Sequence, residues 1–321
     1  MSSSHGESAA TPLLELRKVG KVFGGGGFGR QRQTVALQDF SLAIDGESPT
    51  IIAVVGESGS GKSTMANLLL GLETPTSGVV HYKGTDLRQS SRQGRRAFRR
   101  DVQAIFQDPF GVYNPFYKVD HVLTTPIAKF KLARSKEEGR HLIEQALRAV
   151  GLRPEETLGR YPHQLSGGQR QRTMVARTLL LRPKVIVADE PVSMVDASLR
   201  VTVLGNLLQL KQEFGISLIY ITHDLATAYQ ISDSIIVLHK GSVVEAGDPE
   251  QVVKHPQHSY TKLLIGSIPL PDPDQIWDDG VPEDGHEREE RVIVAGHGRT
   301  DQYGHESGRN GGEAPRTERH A

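Results

Sequence analysis

Nine consecutive residues constrain this chain more than any others: Gly56-Glu57-Ser58-Gly59-Ser60-Gly61-Lys62-Ser63-Thr64, which follow the apolar run Ile51 to Val55 and precede the apolar, helix-forming segment Met65 to Leu70. They match G-x-x-x-x-G-K-[ST], and the context of strand, loop and helix matches as well. Glycines let the backbone turn tightly enough for several N–H groups to face one anion, and the helix start adds partial positive charge. Lys62 is expected to reach the β- and γ-phosphates of ATP and Ser63 to ligate Mg²⁺, with Gly56, Glu57, Ser58, Gly59, Ser60, Gly61 and Thr64 completing the cradle. An ordinary Gly/Ser-rich turn needs no such register of flanking elements.

A pair of acids lies far downstream, where the apolar run Val185-Ile186-Val187-Ala188 ends in Asp189-Glu190-Pro191. The ends of buried parallel strands are where α/β sheets bind ligands. Asp189 is expected to hold Mg²⁺, directly or through water, and Glu190 to polarise the attacking water as general base. Alone, two adjacent acids are commonly solvated turn residues. A phosphate loop in the same chain makes the catalytic reading the better one.

Leu165-Ser166-Gly167-Gly168-Gln169-Arg170-Gln171-Arg172 precedes another apolar helical segment, so its amides and the Ser166 hydroxyl form a second anion-binding helix start. One nucleotide can hardly engage both helix starts within a compact monomer. A two-fold dimer, with each ATP clamped between one phosphate loop and the partner's Ser166, Gly167, Gly168 and Gln169, resolves this.

The sequence closely resembles the ATP-binding-cassette (ABC) ATPases over roughly residues 12–270. The motifs stand in family order: GESGSGKST, FQDP (Phe106 to Pro109), LSGGQRQR, VIVADEP, SMVD (Ser193 to Asp196) and ITHD (Ile221 to Asp224). The resemblance implies that Gln107 senses Mg²⁺ and attacking water and relays the nucleotide state to a membrane partner. It implies that His223 contacts the γ-phosphate and that Asp196 crosses the dimer interface, although Met194 and Val195 replace the more usual Ala-Leu. It places Phe23 where an aromatic ring stacks on adenine; the Gly-rich insert Gly24 to Gly29 makes Phe28 a competitor. The basic run Arg92 to Arg100 is read as a solvated helix face rather than a nucleic-acid site.

Short β-rich runs (Ile51 to Val55, Val102 to Phe106, Val185 to Ala188, Leu218 to Thr222, Ile235 to Leu238) alternate with helical patterns, which signals an α/β core with a mostly parallel buried sheet. The stretch Pro126 to Tyr161 carries apolar residues only at helical spacing and is read as part of a helical subdomain inserted at approximately 110–170. The resemblance adds an N-terminal antiparallel β subdomain. Residues 1–11 are expected to be a flexible arm, 12–270 the ATPase domain, and 271–321 a tail that is polar apart from the short apolar run Arg291 to Ala295 and mostly disordered.

The chain has 321 residues, no cysteine, and 38 Lys+Arg against 38 Asp+Glu. Thiol catalysis, zinc fingers, disulfides and thiolate-held iron–sulfur clusters are thereby excluded, and the neutral balance gives no reason to expect nucleic acid. No stretch approaches the ~18 apolar residues needed to cross a bilayer, and Met1 to Thr11 is polar rather than leader-like. The closing pattern His255-Pro256-Gln257-His258-Ser259-Tyr260-Thr261-Lys262-Leu263-Leu264 resembles the ATP-binding subunits of oligopeptide and dipeptide importers, in their cluster-free, F-type form. That resemblance implies a peripheral subunit on the cytoplasmic face of the membrane. Its partners would be a second ATPase subunit, like or unlike, two transmembrane permeases and an extracytoplasmic substrate-binding protein, with peptides or related oligosaccharides as cargo. The alternative is a soluble ABC ATPase of a cytoplasmic complex, such as one resembling the phosphonate carbon–phosphorus lyase assembly.

Overall fold

The computed structural model describes residues 11–24, 33–106, 113–193 and 197–267. The expectations for Gln107, Asp196, Phe28 and the 271–321 tail, and nearly all of the N-terminal arm, lie outside the described residues.

Two sheets organise the described residues. Strands β1 (Leu14–Phe23), β2 (Thr34–Ile44), β4 (Ser77–Tyr82) and β5 (Thr85–Asp86) form an antiparallel sheet in the order β2-β1-β4-β5. Strands β3 (Ile51–Val55), β6 (Val102–Ile105), β7 (Val185–Asp189), β8 (Ser217–Thr222), β9 (Ser234–His239) and β10 (Ser242–Gly247) form the second, in the order β10-β9-β3-β8-β7-β6. All its pairings are parallel except β10 on β9. The α/β class with a mostly parallel sheet and an N-terminal antiparallel sheet is thus as expected.

Strands β3 and β8 are buried at every residue, because both faces of the parallel sheet are covered. Ile51, Ala53, Val55, Ile186, Leu218 and Tyr220 join one core cluster, and Ile52, Val54, Val185, Val187, Ile219 and Ile221 join the other. This alternation by single residues is the two-residue period of a strand expressed as two cores. The second cluster takes in the antiparallel sheet through Leu14, Leu16 and Phe40, and also α1 (Lys62–Leu69) through Met65, Leu68 and Leu69. Burying each of those helix side chains contributes about 2 kcal/mol. The first cluster takes in α3 (Asp120–Phe130), α4 (Lys136–Ala149), α6 (Gly167–Leu179), α7 (Ala197–Gln212) and α8 (Leu225–Ile231). The helices that follow the two anion-binding segments, α1 and α6, therefore pack on opposite faces of the parallel sheet.

Helix α2 (Arg92–Asp101) starts at Ser91, whose hydroxyl accepts from the Gly94 amide (3.1 Å), and buries only Phe98, so its arginines form a solvated face as expected. Helix α3 begins at Asp120, upstream of Pro126, so the proline sits inside the helix. Burial of Leu123 and Pro126 offsets the hydrogen bond that proline cannot donate. The short helix α5 (Pro154–Thr157) and a 3-10 turn (Pro162–Gln164) lead to α6.

Candidate nucleotide site

The phosphate loop leaves the C-terminal end of β3, and its backbone is fixed by close approaches that only glycine permits. Gly61 has φ 109°, and a Cβ there would lie 2.4 Å from the Ala36 carbonyl oxygen of β2; at Gly56 a Cβ would lie 2.2 Å from the Leu238 carbonyl oxygen of β9. The loop is closed further by Ser60 N donating to Glu57 O (3.2 Å) and by Gly241 N donating to Ser60 O (2.8 Å). The Ser60 side chain turns inward and is buried, while Glu57, Ser58 and Gly59 are exposed.

Gly61 caps α1 in the left-handed conformation, which leaves the amides of Lys62, Ser63 and Thr64 in the first turn without intrahelical acceptors. No acidic residue occupies that turn, so no side chain of the helix competes for those donors. Lys62 curls back over the loop, its Nζ donating to Gly56 O (2.7 Å) and Glu57 O (2.8 Å). Burial pushes the Lys62 ammonium below its ordinary pKa, against the opposing pull of Glu190, Asp189 and Glu57. The two loop carbonyls hold the buried ammonium in place, and the charge of the three acids favours its protonated form.

Register brings the downstream residues to the same sheet edge. Val55 pairs with Thr222, and Asp189 pairs with Ile221, so Gly56, Glu190 and His223 each leave the C-terminal end of neighbouring parallel strands. Glu190 adopts φ 45°, a left-handed conformation that turns the chain sharply after β7. Its amide donates to Ile221 O (2.9 Å), and its carbonyl accepts from Ser193 Oγ (2.9 Å). The His223 Nδ1 stands 3.3 Å from the Glu190 carboxylate. Burial raises the Asp189 carboxyl above the usual range, Glu190 adds to this, and Lys62 works the other way. Asp224, next in the chain after His223, accepts from Ala226 N (2.9 Å) and Thr227 N (3.2 Å) and so caps α8.

Ser63 is exposed at the start of α1 and Asp189 is half-buried at the end of β7; both offer hard oxygen donors. Mg²⁺ commonly takes only one or two protein oxygens and completes its shell with water and phosphate, so this donor set suits it. No group of three or more His, Cys, Asp or Glu side chains that could hold a metal ion occurs among the described residues.

At the second anion-binding segment, Ser166 Oγ accepts from Gln169 N (3.2 Å) while Ser166 N donates to Gln169 Oε1 (2.9 Å), a reciprocal capping box. The Ser166 hydroxyl proton stays available, and open space surrounds Gly167 and Gly168. Gln171, inside the same motif, was assigned no role by the sequence. Its buried side-chain amide donates to Pro191 O, directly behind Glu190. The letters of the motif contain it, but only the fold shows that α6 holds the strand end carrying the acids. Phe23 ends β1 opposite Thr34, two residues before Ala36, whose carbonyl abuts Gly61. Phe23 is 41 % exposed, with Lys21 Nζ 4.9 Å from its ring centroid.

Known proteins match this arrangement. Residues 37–193 match the model of the ABC transporter family, and residues 244–293 match that of the oligopeptide/dipeptide transporter C-terminal region. The dipeptide transport ATP-binding protein DppF of Escherichia coli (strain K12) is 39% identical over 287 residues, 89% of this chain and 81% of that protein. The chain belongs to the ABC transporter family. The oligopeptide transport ATP-binding protein OppF of Escherichia coli (strain K12) is 43% identical over 223 residues, 70% of this chain and 66% of the relative. Among solved structures, the dimeric ATP-binding cassette MJ0796 in a post-hydrolysis state with ADP and Pi superposes with TM-score 0.63 at 29% identity, covering 74% of this chain and 99% of that one. The cassette cbiO1 of Clostridium perfringens, part of the transporter complex cbiONQ, gives TM-score 0.64 at 25% identity, covering 76% and 92%. This ABC chain has no helix among its described residues long and apolar enough to cross a membrane.

Proposed function

We propose that this chain is the ATP-binding and ATP-hydrolysing subunit of an importer for dipeptides or oligopeptides, acting as a nucleotide-sandwich dimer at the cytoplasmic face of the membrane, against two permeases fed by an external binding protein. One observation carries the reading: parallel register gathers the phosphate loop, Asp189, Glu190 and His223 at one sheet edge. The match of residues 244–293 to the peptide-transporter C-terminal region supports the peptide branch over a soluble complex.

In the proposed mechanism the free amides of Lys62, Ser63 and Thr64 and the Lys62 ammonium receive the β- and γ-phosphates, and Phe23 stacks on adenine. Ser63 and Asp189 hold Mg²⁺, which, when bound, offsets negative charge on the phosphate oxygens. Glu190 takes the proton of the attacking water, and His223, standing at its carboxylate, helps orient the γ-phosphate. Gln107 senses this state and Asp196 reaches across the interface. Because α1 and α6 pack on opposite faces of the sheet, the Ser166 hydroxyl, the amides of Gly167 and Gly168 and the side-chain NH2 of Gln169 serve the partner's nucleotide.

The test is reconstitution of the chain with its cognate permeases and binding protein in lipid vesicles. ATP-dependent uptake of a labelled dipeptide is expected, and Lys62→Ala should abolish it. ATP hydrolysis by a complex that lacks permeases and moves no peptide or sugar would overturn the importer assignment.

A further inference from the structure

One peptide unit of the phosphate loop is gripped at both ends. The Gly56 carbonyl accepts from Lys62 Nζ (2.7 Å), and the N–H of the same peptide, that of Glu57, donates to the phenol oxygen of Tyr260 (2.9 Å). Carbonyl and N–H point in opposite directions across a trans peptide, so these side chains fix its rotation from opposite sides. Tyr260 belongs to α10 (Ser259–Gly266), about 200 residues downstream of the loop.

The surroundings hold the phenol at this address. Tyr260 is buried, and its ring lies 3.9 Å, centroid to centroid, from that of His239 at the end of β9. The His239 Nδ1 is in turn 3.2 Å from the Glu57 carboxylate. Glu245 on β10 accepts the amides of Gln257 (2.8 Å) and His258 (3.1 Å), and His258 Nδ1 accepts the Tyr260 amide (3.1 Å). Burial by itself raises the Glu245 carboxyl, but Thr261 and those two amides outweigh it and hold the group below the usual carboxylate range. The segment His255 to Thr261 is therefore built to present one hydroxyl to one loop amide.

We infer that Tyr260 is a positioning residue for the phosphate loop, and that α10 is a brace whose docking is linked to nucleotide binding. The inference rests on the nucleotide reading above. When Lys62 swings from the Gly56 carbonyl to a phosphate, Tyr260 is the side-chain clamp left on that peptide, so its hydroxyl matters most in the bound state. Linkage is reciprocal: a brace that favours nucleotide is itself tightened by nucleotide.

Tyr260→Phe tests this, since phenylalanine keeps the ring against His239 and removes only the acceptor. Losing one net hydrogen bond predicts a rise of about 5- to 10-fold in KM for ATP, with kcat changed less than about twofold. Tyr82→Phe is the control, because it removes a hydroxyl of the antiparallel sheet that donates to Asp101 (2.6 Å) at the end of α2. In hydrogen exchange, ATP should deepen protection of residues 259–266 in the wild type and not in Tyr260→Phe. Unchanged ATP affinity in Tyr260→Phe, or an equal loss in Tyr82→Phe, would overturn the brace and leave the nucleotide site standing. Wild-type protein that binds no ATP would instead remove the nucleotide reading, and the brace with it.

Discussion

Replacing Glu190 by glutamine separates binding from chemistry more cleanly than any other single change. The amide keeps the length and branching of the carboxylate, and the backbone contacts of residue 190 to Ile221 and Ser193 do not involve the side chain, so the turn should persist. What disappears is the group that accepts a proton from water. General-base catalysis contributes about 10² to 10⁴ in rate, which is about 3 to 5 kcal/mol of barrier. Binding should move the other way. Glu190 is one of three acids whose charge acts on Lys62, and it adds to the burial that raises Asp189, so removing its charge lowers repulsion toward an incoming triphosphate and makes Asp189 easier to ionise. ATP affinity is therefore expected to hold or rise by a few-fold, while single-turnover phosphate release slows by at least about 100-fold. Stopped-flow phosphate release beside equilibrium binding of a fluorescent ATP analogue reads both quantities. Release within about tenfold of wild type would show that another group activates water.

Other outcomes follow from the same geometry. Gly61→Ala combines a left-handed strain of about 1 to 2 kcal/mol with a backbone clash against Ala36 O, so its thermal unfolding midpoint should fall well below that of Gly59→Ala, where φ is 80° but nothing lies within 4 Å; equal midpoints would remove the clash from the account. Asp233 accepts from Ile51 N (2.6 Å) and pairs with Lys211; burial works to raise its carboxyl, but these partners win and hold it below the ordinary value. The stability it provides is full above the ordinary carboxylate pKa and is lost as pH falls through the lowered folded value. Asp233→Asn should cost about 1 kcal/mol at pH 7, discounted for partial exposure, and flatten acid unfolding below about pH 4, as a urea titration at several pH values would show. For the dimer, cysteines at the exposed Ser58 and Ser166 should crosslink between chains when Glu190→Gln protein is given ATP, in a chain with no thiols of its own. A bond within one chain, or equal crosslinking without nucleotide, would sink the shared-site model.

Much of this fold was legible because its determinants are local. Strands buried on both faces read as unbroken apolar runs, and β3, β7 and β8 fall where such runs stand in the sequence. Gly56 and Gly61 could be singled out from spacing alone, since the pattern records a backbone path that only glycine can follow. Asp189 and Glu190 were legible as the first polar residues at the end of a buried apolar run, where the parallel sheet opens to ligand.

What remained hidden depends on which distant segment arrives at a local feature. That Gly61 needs its hydrogen because of the Ala36 carbonyl, and Gly56 because of Leu238, is a matter of how β2 and β9 pack around the loop. The inward turn of Ser60 comes from the same packing: among the loop's two central serines, the one beside β9 is buried and Ser58 is exposed, which no spacing rule distinguishes. Helix α3 runs through Pro126 because burial of Leu123 and Pro126 carries it past the missing hydrogen bond, which the apolar spacing of the segment alone does not show. Gln171 and Tyr260 belong to motifs whose letters are visible, yet each acts on a main-chain atom elsewhere, the Pro191 carbonyl and the Glu57 amide. A backbone partner leaves no residue signature in the segment it restrains. Motif reading therefore finds the groups that meet the nucleotide and passes over those that hold the backbone in place for them.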